Sequence, residues 1–262
     1  MTITPNKWEL DVQGYLNTCN ITDATPRKQI RDFSAGVNDL GLWNSMVCWP
    51  LRSSQNYGSG DTVFSLGGLG TFNGTRVNGP SWGADGIAFV AASSTLITTP
   101  MDVQNLRQFT AMAAANQTSQ NAASDAMMAA WGAASSSNYF ILRKTATNVF
   151  NALTRSAAAT RQTSISGGVV TTGAWLMHGW GTQGANMVPT MNGTAGASLG
   201  FLPDETGSST VNIGAFGQLL ASFYNGTIAL ALLFKDAELT TAQQLLVYNL
   251  YKSTLGQGLG LP

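Results

Sequence analysis

Charge is what this chain of 262 residues has least of: 10% of its residues are Asp, Glu, Lys or Arg, against about 25% in an ordinary globular protein. Thirteen basic residues offset thirteen acidic ones, for a formal net charge of zero. No basic block occurs, and affinity for a phosphate backbone rests on clustered Lys and Arg, so no nucleic-acid partner is expected. No apolar run reaches the ~18–20 residues needed to cross a bilayer, so no membrane insertion is expected. The opening MTITPNKWELDV lacks the basic-then-apolar order of a signal peptide. That points to a product made in a cytoplasm and kept there until something else carries it out.

Histidine occurs once, at His178. A multi-histidine metal site is thereby excluded, and a Ser-His-Asp triad has one available base, so no serine is expected to be an activated nucleophile. The Asp residues are scattered with no Asp-x-Asp loop, so neither a metal nor any other cofactor is expected, although oxygen ligands for calcium stay open. Cys19 and Cys48 are the only cysteines. With no sign of an oxidising compartment they read as buried thiols, and a disulfide between the first helix and the first strand is left open.

Small and turn-forming residues fill the space that charge leaves, including 29 glycines. Residues 5–18 predict a helix, with Trp8, Val12, Tyr15 or Leu16, and Cys19 at spacings of three and four. A second helix is predicted from Thr25-Pro26, with Ile30, Phe33, Val37 and Leu40 as its stripe. Two short amphipathic helices cannot make a core alone, so 1–45 is expected to be a helical attachment segment docked on a domain spanning 46–262.

From Trp43 onward short strands alternate with turns. Strands are expected at NSMVCWPL, then around TVFSLG, GTFNGTRV and GIAFVAA, and at 108–116, 127–132, 138–143, 148–155, 174–181, 186–192, 210–215 and 228–234. The Ala- and Ser-rich segment 118–130 also admits a helix. Asn73-Gly74, Asn78-Gly79, Asn192-Gly193 and Asn225-Gly226 read as hairpin turns. Gly67-Gly68-Leu69-Gly70 lacks the Lys-Ser/Thr of a phosphate loop and reads as a flexible turn. Period-2 alternation groups Phe109, Ala111 and Ala113 on one face. It likewise sets Ile228, Leu230, Leu232 and Phe234 against Ala229, Ala231 and Leu233. Thr240 and Gln243 match a capping box, so a helix follows the last strand and ends at Gly256.

The segment TGAWLMHGWGTQGANMVPTMNGT resembles the laminin-G-like, concanavalin A-like jelly roll, in which a Trp-led strand, a turn, a second strand and an Asn-Gly follow one another. The stretch YNGTIALALLFKDAELTTAQQLLVYNLYKS is similar to that superfamily's closing strand and terminal helix, and Phe109-Thr110-Ala111-Met112 to its early strand. The resemblance covers about 46–255 and implies a mainly β jelly-roll sandwich with a short helical N-terminal segment and a C-terminal helix. The two helices leading into LGLWNSMVCWPL and FNGTRVNGP look like bacteriophage virion proteins that carry this jelly roll. That likeness implies a non-enzymatic structural component, a capsid decoration or a tail-fibre appendage. Its partners would be other virion proteins of the capsid or tail together with further copies of itself in a homo-oligomer, and its location the virion. The alternative is a lectin-like adhesion module for host attachment through surface glycans.

Enzymatic members of the fold place two carboxylates on one strand face with E-x-D-x-x-E spacing, which this sequence lacks. Asp204-Glu205 read as a turn and Asp236 and Glu238 as a strand-to-helix break, so no catalytic residue is expected. On the strand 174–181, Trp175, Met177 and Gly179 share the core-facing side that the resemblance implies. Leu176, His178 and Trp180 face the other way. They are the candidate ligand or interface residues, on the expectation that this outer face is open.

Overall fold

The computed structural model describes residues 5–103, 108–119, 125–131, 138–144, 149–155, 160–200, 209–216 and 222–262. Two helices come first, α1 (Lys7–Thr18) and α2 (Ala24–Asp39). At the start of α1 the Glu9 carboxylate accepts from the Asn6 backbone N–H at 2.7 Å. The cap of α2 is Asp23, whose Oδ1 accepts from the Thr25 N–H at 2.9 Å. The helix therefore begins ahead of the expected Thr25, and Pro26 sits inside the first turn, where its missing N–H costs nothing.

Strands then follow in chain order: β1 (Met46–Pro50), β2 (Thr62–Val63), β3 (Gly74–Val77), β4 (Ser81–Trp82), β5 (Ile87–Phe89), β6 (Leu96–Asp102), β7 (Phe109–Gln117), β8 (Asp125–Trp131) and β9 (Asn138–Lys144). They continue with β10 (Val149–Arg155), β11 (Thr160–Val169), β12 (Trp175–Gln183), β13 (Asn186–Met191), β14 (Thr194–Ala195), β15 (Leu199–Gly200), β16 (Thr210–Ile213) and β17 (Gly226–Lys235). Helix α3 (Thr241–Ser253) comes last. The larger sheet runs β14-β13-β12-β7-β17-β5-β4, with β1 added beside β17 and β15 beside β13. The smaller sheet runs β11-β10-β9-β8-β16-β6-β3-β2. The two antiparallel sheets form a mainly β, concanavalin A-like jelly-roll sandwich with three helices. Of the segment 118–130, residues 125–130 are strand and 120–124 lie outside the described residues, as do Asp204 and Glu205.

Strand β17 is the centre of the larger sheet. Strand β7 lies along one edge, from Gly226↔Gln117 to Lys235↔Phe109. The other edge is divided between β5, beside Gly226–Ile228, and β1, beside Leu230–Phe234. The alternation along β17 is broken by a bulge between Ile228 and Leu230. Ile228 therefore joins Ala231 and Leu233 in the core between the sheets, while Ala229, Leu230, Leu232 and Phe234 face the helices. This corrects the unbroken period-2 assignment, because one extra residue reverses every side chain before it.

A second apolar core lies on the outer face of the larger sheet. Val12 and Leu16 of α1, Ile30, Phe33 and Val37 of α2, and Val247 and Tyr251 of α3 close over Met46, Met112, Met177, Leu232 and Phe234. The helices are thus a third layer sharing a core with the sheet. The change near residue 45 marks where helices give way to strands. Among the Asn-Gly pairs, Asn78-Gly79 (φ +59° and +70°) and Asn192-Gly193 (φ +51° and +78°) take the left-handed turn that the pair favours. The second joins β13 to β14, whereas the first carries the chain from the smaller sheet to the larger. Neither Asn73 nor Asn225 has positive φ. There the glycine opens a strand instead, and a Cβ on Gly226 would meet the Asn116 carbonyl oxygen at 2.3 Å.

Candidate functional site

The three residues singled out on β12 do share one face, but that face is the sandwich interior. Leu176, His178 and Trp180 are all buried, and Leu176 and Trp180 belong to the core between the sheets. Their cross-strand partners on β7 are Ala115, Ala113 and Ala111, so the alanines make room for a Trp, a His and a Leu inside the protein. Trp175 and Met177 pack towards the helices. The expected open outer face is therefore corrected: these side chains are inaccessible from solvent. His178 lies tilted against Phe150 with ring centroids 4.8 Å apart. Neither ring nitrogen has a hydrogen-bond partner among the described residues. Burial pushes its pKa down to about 3, so it is a neutral ring in an apolar setting.

Residues that reach solvent together lie elsewhere, between the helices and the loops after β1 and β2. Asn56, itself buried, organises them. Its Nδ2 donates to the carbonyls of Pro50 and Phe64, both at 2.9 Å. Its Oδ1 accepts from the N–H groups of Tyr57 at 2.8 Å and Phe64 at 3.1 Å. Two loops are thereby locked side by side, and the rings of Tyr57 and Phe64 meet edge to face at 6.0 Å. Tyr57 is 50% exposed, on a backbone that Asn56 fixes through the Tyr57 N–H.

Further ties fix this loop from below. The Tyr15 hydroxyl donates to the Gln55 carbonyl at 2.7 Å. The Gln55 amide donates to Gln29 Oε1 at 3.0 Å and to the Leu255 carbonyl at 2.8 Å. Arg52 donates from Nε to the Ala84 carbonyl at 2.9 Å and from Nη1 to the Gln257 carbonyl at 2.8 Å. An Arg head fixed at several carbonyls loses little entropy per bond, which suits it to pinning a loop.

Two clefts adjoin at the Tyr57–Phe64 contact; α1 forms one wall of the first, and the turn after it, 19–23, forms one wall of the second. The first, of about 260 Å³, is bounded by Asp11, Tyr15, Thr18, Phe64, Thr71 and Asn73. The second, of about 370 Å³, is bounded by Asn20, Thr22, Asp23, Ser54, Tyr57 and Ser59. Little net charge lines them. Lys7 and Asp11 pair at 2.7 Å, and Trp43 Nε1 donates to the same carboxylate at 3.1 Å. Beneath the wall, burial raises Tyr15 well above its ordinary pKa, pushes the Cys19 thiol up to about 12 and raises Cys48 further. Both cysteines are free, buried thiols, neutral at physiological pH. The glycine loop beside the first cleft is packed tightly, contrary to the flexible turn expected of it. A Cβ on Gly67 would lie 2.2 Å from the Met46 carbonyl oxygen, and one on Gly68 would lie 2.5 Å from Trp43 Cδ1.

The remaining chemistry-bearing residues do not converge. Glu238 accepts from the Gly184 N–H at 3.0 Å, and Asp236 sits at a positive-φ turn (+55°). The sequence does carry one G-x-S-x-G spacing, Gly196-Ala197-Ser198-Leu199-Gly200. Ser198, however, leads into the two-residue edge strand β15, not the strand-to-helix elbow that exposes a nucleophile, and the only histidine is sealed inside the sandwich. Among the described residues no three His, Cys, Asp or Glu side chains gather as a metal site. No helix among them is long and apolar enough to cross a membrane.

No protein-family model matches this chain, and no curated protein matches it in sequence. Solved structures do resemble it in fold. A Trypanosoma rangeli sialidase mutant displaying trans-sialidase activity superposes with a TM-score of 0.58 and 11% identity, over 88% of this chain and 39% of its own. The binding domain of botulinum neurotoxin serotype D/C VPI 5993 gives 0.52 and 12%, over 79% of this chain and 52% of its own. The CBM40 of Ruminococcus gnavus IT-sialidase bound to α2,3-sialyllactose gives 0.47 and 16%, over 55% and 84% respectively, a likeness too loose to carry an argument. At these identities the comparisons establish the lectin-like jelly-roll fold and nothing about ligand.

Proposed function

We propose that this chain is a non-catalytic carbohydrate-binding module that attaches to surface glycans through the groove between α1 and the loops at 53–59 and 64–73. The observation that carries this reading is Tyr57, half exposed, its backbone N–H held by Asn56 and its ring T-shaped against Phe64, with hydroxyl and amide side chains on both flanks. A sugar presents an apolar C–H face and a rim of hydroxyls. A preorganised aromatic ring with polar neighbours complements both at low entropic cost. The carboxylates nearby already have work: Asp11 holds Lys7 and Trp43, and Asp23 caps α2. The fold supports the reading only as a scaffold on which many functions are built. Binding of the purified chain to a broad glycan panel, with and without Tyr57→Ala, tests it. Sugar binding that Tyr57→Ala abolishes supports it, and a chain that binds no saccharide refutes it.

A second reading, a structural component of a bacteriophage particle, draws on a different surface. Leu10 on α1 and Leu245 and Leu246 on α3 are 57%, 41% and 51% exposed, which suits a protein contact made by the helical layer. Leu246→Lys would impair assembly with partner virion proteins under this reading and leave glycan binding unchanged.

A further inference from the structure

The two clefts described above adjoin: Thr18 of the first is followed in the chain by Cys19 of the second, and Phe64 of the first meets Tyr57 of the second. Resting on the carbohydrate-binding reading, we infer that they are consecutive subsites for an uncharged oligosaccharide chain of about three sugars, laid along α1 and across Tyr57 and Phe64. Tyr15 and Thr18 of α1 line the first cleft, and Asn20 and Thr22 of the turn after it line the second. Successive residues of one helix and its exit turn thus border the two compartments in order. Each compartment brings its own aromatic ring, Phe64 in the first and Tyr57 in the second. Because the rings meet edge to face, their planes are steeply inclined to one another, at 81°. A flat or single-ring ligand uses one of them, whereas a chain that bends at its glycosidic linkage uses both.

Charge selects the same ligand. The charged side chains bordering the clefts are Lys7 and Asp11, which neutralise each other at 2.7 Å, and Asp23. A carboxylated or sulfated sugar would meet an exposed carboxylate and no unpaired cation. The cations of this region, Arg27, Lys28 and Arg31, border a separate depression on the α2 side of Thr22. Hydroxyls of a neutral chain, by contrast, can donate to Asp23 and exchange hydrogen bonds with Ser54, Ser59 and Asn73.

Calorimetric titration of the full chain with neutral mono-, di- and trisaccharides, and with the same trisaccharides ending in a carboxylated sugar, tests the inference. Affinity should rise about tenfold or more from mono- to trisaccharide as the second ring engages. Phe64→Leu, which preserves bulk but removes the ring, should flatten that rise while Tyr57→Ala abolishes binding at every length. Asp23→Asn keeps the helix cap and should relieve the penalty against the carboxylated chain. A monosaccharide that binds as tightly as a trisaccharide overturns the inference and leaves the broader reading standing, as does a preference for the carboxylated chain. A length dependence unchanged in folded Phe64→Leu does the same. Absence of binding to every saccharide overturns both.

Discussion

The two faces of the larger sheet are filled by different means. Towards the smaller sheet, size is matched across neighbouring strands: Ala111, Ala113 and Ala115 of β7 stand beside Trp180, His178 and Leu176 of β12, and Ala111 and Ala113 stand beside Leu233 and Ala231 of β17. Towards the helices, Met112, Met177, Leu232 and Phe234 meet Phe33, Val37, Val247 and Tyr251, which come from separate elements. On the first face a large residue depends on a small one held at fixed register. On the second, small partners also stand at fixed register, Ala114 beside Met177 and Leu230, and Gly179 beside Met112, but the covering layer is helical and no strand ladder sets its position. Similar burial therefore does not imply similar tolerance.

The strongest way to break the matched face is to remove its largest member. Trp180→Ala should lower unfolding free energy by ~3–5 kcal/mol in urea titration, and a loss below ~1 kcal/mol would mean that the ring is not packed as described. Acid tests the same face differently. Because His178 has its native pKa lowered from 6.5 to about 3, the unfolded chain takes up a proton that the native chain refuses. Stability is thus complete above pH 6.5 and falls as pH drops towards 3, by at most ~1.4 kcal/mol per unit. Urea midpoints at pH 7 and pH 5 should differ by more in the natural chain than in His178→Leu; equal differences would contradict the burial. Enlarging the small partner comes next, and Ala113→Leu should cost ~1–3 kcal/mol through overpacking. The mildest break lies on the helix side. The Thr240 side chain accepts from the Gln243 N–H at 3.2 Å, so Thr240→Ala should cost ~1 kcal/mol in the same titration.

Much of this architecture was legible in the residues themselves. The stripe Ile30, Phe33, Val37 specified α2, the Thr240–Gln243 box specified α3, and the apolar run at 228–234 specified the closing strand. Alternation also placed Leu176, His178 and Trp180 on one face. What it could not supply was which side of that face would be covered, since period 2 divides a strand without saying what packs on either half. The bulge at Ala229 was hidden for a related reason: an extra residue in a uniformly apolar run leaves no mark on the pattern. Strand β11 escaped because Thr, Arg, Gln, Ser and two glycines give no apolar rhythm to follow. The groove was harder still. Asn56 acts through four hydrogen bonds to backbone, and nothing in the run Gln55-Asn56-Tyr57 distinguishes an organising amide from an ordinary loop one.

The split edge of β17 also has a bearing on how the chain acquires its shape. Pro50 of β1 is paired with Leu230, 180 positions later, and α1 and α2 bury their stripes on a sheet whose central strand is that same late segment. As the polypeptide is synthesised, the first strand and both early helices must wait, apolar surfaces uncovered, until β17 emerges. Pairing across so long a separation favours slow folding, with a lasting need for protection from aggregation in the interval.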